Sequence, residues 1–558
     1  MSSACQVIDI VQCIVAYCDA RTNARNVLVC KAWSKVALDA VWSHLTSLKP
    51  LVELFGKTCS VKDDVISYEY ENSPSVGALK RFETIYRSRI RTLELASDAG
   101  EFAPALSIMA RIRGEGPLLP NLQSLTWSGL ASGGLTEFSV MFMHGGIHSF
   151  SIISDERDTV ESFASYCEAI SYRMPKLRSL HLDIWPVDVY QKPILDTVQK
   201  LPHLKELTLP PFEDPSEVIL GLRDSLELRL TYLGTFLYEI LPQNSILSGP
   251  FRNTGFQHLS EVDLYCSYDF AARFFQNVNP LNEIRTITLT SINHQPAGNF
   301  REVMWQIAST CHHLQSLALR FKNKTRDAVD DLSLHPSPDD LIHFEDIGPL
   351  LHKCPDITDF TLEFPYVIQI DDSDVKDIAQ SWPALKAFKL ADQIPTLSPS
   401  FDYTKKLTLA SLAHFSRYCP RIEFICLNVY ATGDGIPPLS IIPSAIADSK
   451  SPGVFQNIRS FQFDSSPIDN SARVACYLAH LCSGSNVPDL VYGSVWEEDV
   501  IADDREWVEK WETAEETFKV VLEMKTILEN SMKKKELEYQ KRIEELELGL
   551  TRKRKTLD

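Results

Sequence analysis

The feature that most constrains this chain is a short apolar pattern that keeps returning: apolar, two residues, apolar, one residue, apolar, often with a proline just ahead of it. It reads PNLQSLTW from Pro120, PKLRSLHL from Pro175, PHLKELTL from Pro202, HLSEVDL from His258, HLQSLAL from His313, PDITDFTL from Pro355, PALKAFKL from Pro383 and PRIEFICL from Pro420. Looser copies begin near Ile90, Ile147, Ile284 and Ile458. A chain that repeats one motif cannot bury each copy alone, so the copies must stack on one another.

Each copy ends in a period-two stretch, such as Leu180 with Leu182 or Leu317 with Leu319, which puts those side chains on one face of a short strand. Between copies there is room for one helix, and helical patterns are read at 163–172, 303–308 and 409–418, each closed by proline or a polar break. Most intervals, about 25 to 37 residues, lie in the leucine-rich-repeat range or slightly above it. The expected fold is an α/β solenoid with parallel strands on a concave face and helices on a convex one. The interval from Leu204 to Leu259 is doubled, so a degenerate repeat is expected near 226–233. The regular turn asparagine of strict repeats is missing, and 324–340 and 431–453 read as longer loops. An ordinary α/β domain with leucine-rich strands is the alternative.

A stacked array lets one core continue past the size at which single-core domains divide, so the 558 residues do not demand several domains. A composition of 44% hydrophobic and 23% charged residues is globular. The formal charge of −19 argues against a nucleic-acid binder, which needs surplus Lys and Arg on its contact surface. No apolar run approaches the roughly 18–20 residues of a membrane helix. The stretch 5–18 lacks the basic flank of a targeting signal and is interrupted by Gln6, Asp9 and Gln12. The 13 cysteines form no C-x-x-C pair and no zinc spacing. Reduced, buried thiols and a cytoplasmic or nuclear protein are expected.

Residues 6–46 show three short apolar-periodic segments separated by polar breaks, with Val7, Ile8, Val11, Ile14 and Val15 on one face of the first. The run VCKAW at 29–33, Ala37-Leu38 and Trp42 follow, with the first-helix apolar residues at a matching offset. This segment resembles the F-box that opens many fungal proteins of similar layout. The one departure is Gln6-Val7 where that family has Leu-Pro; proline there only presets the backbone, so the helix can form without it. The resemblance implies docking to a Skp-type adaptor, and through it to the cullin of a ubiquitin ligase. It also implies that Ile8, Val11, Ile14, Val29, Cys30, Trp33 and Trp42 make the head's core and adaptor face. The alternative is that these residues pack on the first repeat as an N-terminal cap.

In a repeat strand, the residues between and just outside the apolar pair point to the concave surface. Those positions hold Glu94, Asp183, Glu206, Glu261, Asp263, Asp359, Glu363 and Asp464, with His181, Arg320 and Lys389 among them. Asp183, Glu206, Glu261, Asp263, Asp359 and Glu363 are the candidate binding residues for a protein target, the acid excess favouring a basic one. Trp127, Trp185, Tyr265 and Tyr430 at strand ends are candidate anchors or loop fillers. From 505 to about 550 the pattern Trp507, Trp511, Ala514, Phe518, Val521 predicts a long helix whose first half caps the last repeat. Its apolar spacing slips near 533–535 and resumes at Tyr539, Ile543, Leu546 and Leu550.

No catalytic constellation can be assembled. GKT at 56–58 has Leu51 where a phosphate loop needs glycine, and DDSD at 371–374 lacks the glycine and distal glutamate of a calcium loop. No cofactor or metal is expected. The reading is a head at 1–48, a linker or first cap at 49–84, an array over 85–490, and a helix over 500–550 with a basic end at 551–558. Its role is a substrate receptor rather than an enzyme, with a non-catalytic repeat scaffold as the alternative.

Overall fold

The computed structural model describes residues 8–63, 65–95, 99–128, 138–154, 159–185, 188–210, 212, 215–223, 228–235, 256–277, 283–291, 296–321, 341–364, 368–392, 406–438, 453–463, 466–482, 487–492 and 502–555. Gln6, Val7, Asp464, 224–227, 324–340 and 439–452 lie outside them. The chain forms two compact units, Met1–Ile284 and Arg285–Asp558.

The first unit opens with three helices, α1 (Ile8–Ala16), α2 (Ala20–Asn26) and α3 (Lys31–Ser43). Val11, Val15 and Ala37 are their core, with Val27, Trp33 and Val36 packed around it. The buried Asn23 ties the turn between α1 and α2, donating from Nδ2 to the carbonyls of Val15 (2.9 Å) and Cys18 (3.1 Å). Asp19 caps α2 by accepting from the Thr22 N–H at 2.7 Å.

Helix α3 runs directly into the strand His44–Leu45, which pairs in parallel with Thr92–Glu94. The stretch read as a linker or first cap carries its own elements: a short helix, Lys49–Glu53, an antiparallel hairpin of Thr58–Asp63 with Val65–Tyr70, and a helix, Val76–Arg81. It is packed down, with Phe55 on Phe82 (ring centroids 4.7 Å), Tyr68 stacked on Phe102 (4.6 Å) and the Tyr70 hydroxyl donating to the Val52 carbonyl (3.1 Å).

Among the described residues eight parallel strands belong to this unit: His44–Leu45, Thr92–Glu94, Ser124–Ser128, Ser149–Ser154, Ser179–Ile184, Glu206–Leu209, Tyr232–Thr235 and Glu261–Tyr265, each hydrogen-bonded to the next in sequence. The strand Tyr232–Thr235 fills the doubled interval after Leu204 and pairs on both sides. In register, Leu93, Leu125, Phe150, Leu180, Leu207, Leu233 and Val262 stand side by side, all buried.

The second unit repeats the plan with, among the described residues, seven parallel strands: Thr286–Ser291, Ser316–Phe321, Asp359–Phe364, Ala387–Asp392, Phe424–Leu427, Ser460–Phe463 and Asp489–Tyr492. Its buried column is Ile287, Leu317, Phe360, Phe388, Ile425, Phe461 and Leu490. The helices between strands, Ala297–Thr310, Phe344–Lys353, Asp372–Ser381, Ala410–Tyr418 and Ser471–Leu481, each bury one stripe. This is a leucine-rich-repeat architecture in both units.

One turn recurs ahead of five of these strands. Met174, Cys311, Cys354, Trp382 and Cys419 are each the residue just past a helix, all fully buried, with φ between −123° and −116° and ψ between 55° and 74°. In four of the five the next residue is proline, which disfavours helical backbone just before it and so stops the helix there. In the second unit these residues touch their neighbours in adjoining repeats: Trp382 Nε1 donates to the Cys354 carbonyl (3.1 Å), and the Cys354 and Cys419 thiols donate to the carbonyls of Cys311 (3.4 Å) and Ala379 (3.5 Å). The DDSD at 371–374 is a helix start: Asp371 accepts from the N–H groups of Ser373 (2.9 Å) and Asp374 (3.1 Å), and Asp374 accepts from the Asp371 N–H (3.0 Å).

The helix Ala502–Lys555 closes the second unit. Trp511, Ala514, Phe518 and Leu522 are buried; Trp511 stacks on Phe463 (4.7 Å) and its Nε1 donates to the Ser466 carbonyl (2.8 Å). The Lys525 ammonium donates to the carbonyls of Ala479 (3.0 Å), His480 (3.3 Å) and Cys482 (2.8 Å), satisfying the exposed end of the last repeat helix with a cation where its dipole is negative.

Trp382→Ala removes the largest buried side chain at a repeat turn and leaves the Cys354 carbonyl without its donor. We expect it to cost about 3–5 kcal/mol of stability in the second unit, measured by denaturant unfolding; a loss below about 1 kcal/mol would show that the turn does not hold the repeats together.

Candidate functional site

Two surfaces remain once the core is assigned. On the head, the apolar residues outnumber the positions available inside a three-helix core. Val11 is buried and Trp33 is half-buried against it. Ile8, Ile14 and Val29 are exposed, and so are Ile10, Tyr17 (94% exposed) and Leu28 (85%). Cys30 is half-buried in extended backbone just ahead of α3, with no side-chain capping bond. Trp42 packs on Tyr86 with ring centroids 4.7 Å apart, so it faces the repeats. Arg89 strengthens the same junction by an ion pair to Asp39 and a bond to the Lys35 carbonyl at 3.2 Å.

The seven residues singled out on the head thus separate into a core pair, Val11 and Trp33, a junction residue, Trp42, the half-buried Cys30 ahead of α3, and an outward set, Ile8, Ile14 and Val29. Ile10, Tyr17 and Leu28 complete the outward set. Their signal was present in the sequence as an excess of apolar side chains over what one helical stripe can bury.

The second surface is the strand face turned away from the leucine column. In the first unit it carries a hydrogen-bonded run across three neighbouring strands. Ser179 Oγ lies 2.7 Å from His181 Nε2, His181 Nδ1 lies 2.6 Å from Thr208 Oγ1, and Thr208 bonds the Tyr232 hydroxyl. The Tyr232 ring lies over Gly234, where a Cβ would strike the phenol oxygen. Burial holds the His181 imidazole below its ordinary pKa despite Glu206 nearby, and pushes the Tyr232 phenol up to about 12, with Asp263 adding to the effect. A neutral imidazole has one donor and one acceptor nitrogen, which hydroxyls on both sides can match.

Carboxylates surround this run. Glu206, Tyr232 and Glu261 share one cross-strand register row; Thr208, Gly234 and Asp263 share the next. Glu206 and Glu261 are exposed, while Asp183 is half-buried and its carboxyl is raised by burial. Four of the six acidic candidates therefore occupy one face of the first unit. The two in the second unit are engaged locally: Glu363 pairs with Lys389 Nζ at 2.9 Å, and Asp359 accepts from Thr358 Oγ1 at 2.6 Å. Glu94 lies 3.5 Å from His44 Nε2. Trp127 is buried against Phe142 and is no surface anchor; Tyr430 is half-buried with the Lys406 ammonium 4.8 Å above its ring.

Among the described residues no group of three metal-binding side chains forms, and no helix is long and apolar enough to cross a membrane. Cys167, Cys266, Cys311, Cys354, Cys419 and Cys482 have thiols pushed up to about 12 by burial, so they are poor nucleophiles.

No family model matches the chain. No curated protein matches it either. Among solved structures it is similar to a chain of the yeast Rad7 and Elc1 complex, at 15% identity over 72% of this chain and 92% of that one, with a TM-score of 0.32. It is also similar to a TLR13–ssRNA13 complex (10% identity, 76% and 52%, TM-score 0.34) and to a leucine-rich-repeat protein of Leptospira interrogans (11%, 84% and 98%, TM-score 0.34). Likenesses of that size leave function to be argued from this chain's own surfaces. Those surfaces are the outward apolar set of the head and the polar strand face of a leucine-rich-repeat protein.

The His181 run yields a pH prediction. Because the folded-state pKa lies below the unfolded value of about 6.5, the folded protein resists protonation; the stabilising contribution is full above that value and falls as pH drops below it. We expect stability to decline from pH 7 toward pH 5, and His181→Asn to reduce that slope. A pH-independent difference between the two proteins would show that His181 is not held neutral.

Proposed function

We propose that this chain is the substrate-receptor subunit of a cullin-based ubiquitin ligase, with the head docking on a Skp-type adaptor and the repeat strands holding a protein target. The observation that carries the reading is the apolar set Ile8, Ile10, Ile14, Tyr17, Leu28 and Val29, left exposed after the head has filled its own core and met the repeats. Fully covering one such side chain is worth roughly 1.5–3 kcal/mol, so the set could supply a strong gross driving force for a partner. A cap whose only task is to seal the array would not carry it.

The resemblance of residues 6–46 to the F-box supplies the class of partner. The target side is supported by the acidic strand face of the first unit, where Asp183, Glu206, Glu261 and Asp263 suit a basic segment by charge complementarity. In this reading the chain performs no chemistry: it raises the effective concentration of the target near an activated ubiquitin carried by other subunits. A cytoplasmic or nuclear setting belongs to the same proposal.

A second reading, a scaffold whose head only caps the array, is favoured by one feature. Trp42 on Tyr86, and Arg89 bonded to α3, join head and repeats tightly. The two readings part at the adaptor.

A purified Skp-type adaptor should be retained by the intact chain and lost by an Ile14→Asp, Leu28→Asp double variant, whose exposed positions leave the head core untouched and whose folding is checked by circular dichroism. Equal retention by both would remove the exposed set as the docking surface. Retention by neither would leave the capping scaffold.

A further inference from the structure

Beyond Leu522 no described side chain of the helix Ala502–Lys555 is buried, yet the helix is not polar all round. Met524, Leu528, Met532 (70% exposed), Tyr539, Ile543 and Leu546 all face solvent. Their spacing explains the slip near 533–535. Val521, Met532 and Ile543 recur every eleven residues, as do Met524, Lys535 and Leu546, and Leu528, Tyr539 and, by sequence, Leu550. Eleven residues make three turns at about 3.67 residues per turn, close to the natural helix, so the three series fall into one nearly straight stripe. That stripe lies about a quarter turn around the helix from the face that caps the last repeat.

We infer that this stripe is the seam of a parallel, in-register dimer with a second copy of the chain. Charge selects that occupant. Glu536 and Glu547 flank the stripe on one side and Arg542 flanks it on the other. In a parallel pair, residues on opposite flanks and five positions apart meet across the seam, so Arg542 of one copy meets Glu547 of the other, twice by symmetry. An antiparallel pair brings like flanks together, setting Arg542 near Arg542 and Glu536 near Glu547.

The in-register layers then match Leu528, Met532, Tyr539, Ile543 and Leu546 each with itself. Lys535 is the exception. A lysine in an otherwise apolar seam fixes register and lowers affinity, which makes the dimer a weak one that depends on protein concentration.

Sedimentation equilibrium of the full-length chain, from low micromolar to about 0.1 mM, tests this. The intact chain should shift from monomer to dimer over that range. Ile543→Asp should weaken the dimer at least tenfold without disturbing the cap, since the residue lies beyond it. Lys535→Leu should tighten it at least tenfold. Arg542→Glu should weaken it several-fold, and adding Glu547→Arg should restore it, because the pair is merely exchanged. A chain that stays monomeric even as Lys535→Leu overturns the proposal. So does a dimer indifferent to Ile543→Asp, which would place the contact elsewhere, or a failure of the charge exchange to rescue, which would exclude the parallel register.

Discussion

Ahead of the strand ladders, most neighbouring repeats share one further tie, a carbonyl that accepts two N–H groups. The Arg91 carbonyl accepts from Gln123 and Ser124, that of Gln123 from His148 and Ser149, that of His148 from Arg178 and Ser179, and that of Arg178 from Lys205 and Glu206. The second unit does the same from Arg285 through Gln315, Thr358, Lys386 and Glu423. These bonds come from the residues just before each strand, where the chain leaves the turn made by Met174, Cys354, Trp382 or Cys419. They are main-chain bonds, so they require a conformation and not a side chain. That is why the array tolerates Arg, Gln, His, Lys and Thr at the shared position and needs no asparagine to close the turn.

Because the turn sets where each strand begins, it also sets the register, and a register slip of one residue would send every leucine to the wrong face. The buried columns through Leu180 and Leu207, and through Phe360 and Phe388, follow from it. The alternate positions then lie outside the leucine column, and many of them are not needed for its packing. That freedom lets His181, Thr208, Tyr232 and the carboxylates around them collect on one face, and lets Glu363 and Lys389 neutralise each other on another.

The repeat plan was legible in the sequence because the apolar pattern recurs at a spacing that only stacked strands and helices use. The short strand Tyr232–Thr235 was legible only as a gap of double length. What sequence reasoning missed was the role of the cysteines. Their scatter looked like ordinary core usage, whereas Cys354 and Cys419 stand directly before proline at equivalent turns, where their thiols donate to carbonyls of the adjoining repeat. On the head, pattern alone placed Ile8, Val11, Ile14 and Val15 on one face. A helix with apolar residues on more than one side has no single readable core face, and only the packing of Ala37 against Val11 and Val15 decides which residues go inside. Trp127 shows the converse, a strand-end aromatic that the period could not tell from a surface anchor.

The exposed head and the strand face differ in the physics by which they would bind. Apolar side chains gain from being covered by almost any well-shaped partner, so the head suits an interface that is the same each time it forms. The strand face is ordered by hydrogen bonds and charge, which discriminate among partners more than they add to affinity. In the proposed role the chain couples a constant component to a selected one, which needs that division and needs the two surfaces held at a fixed separation. In the first unit the tie between α3 and Thr92–Glu94, reinforced by Trp42 and Arg89, supplies it, because the head continues into the first strand of the sheet with no flexible link between them.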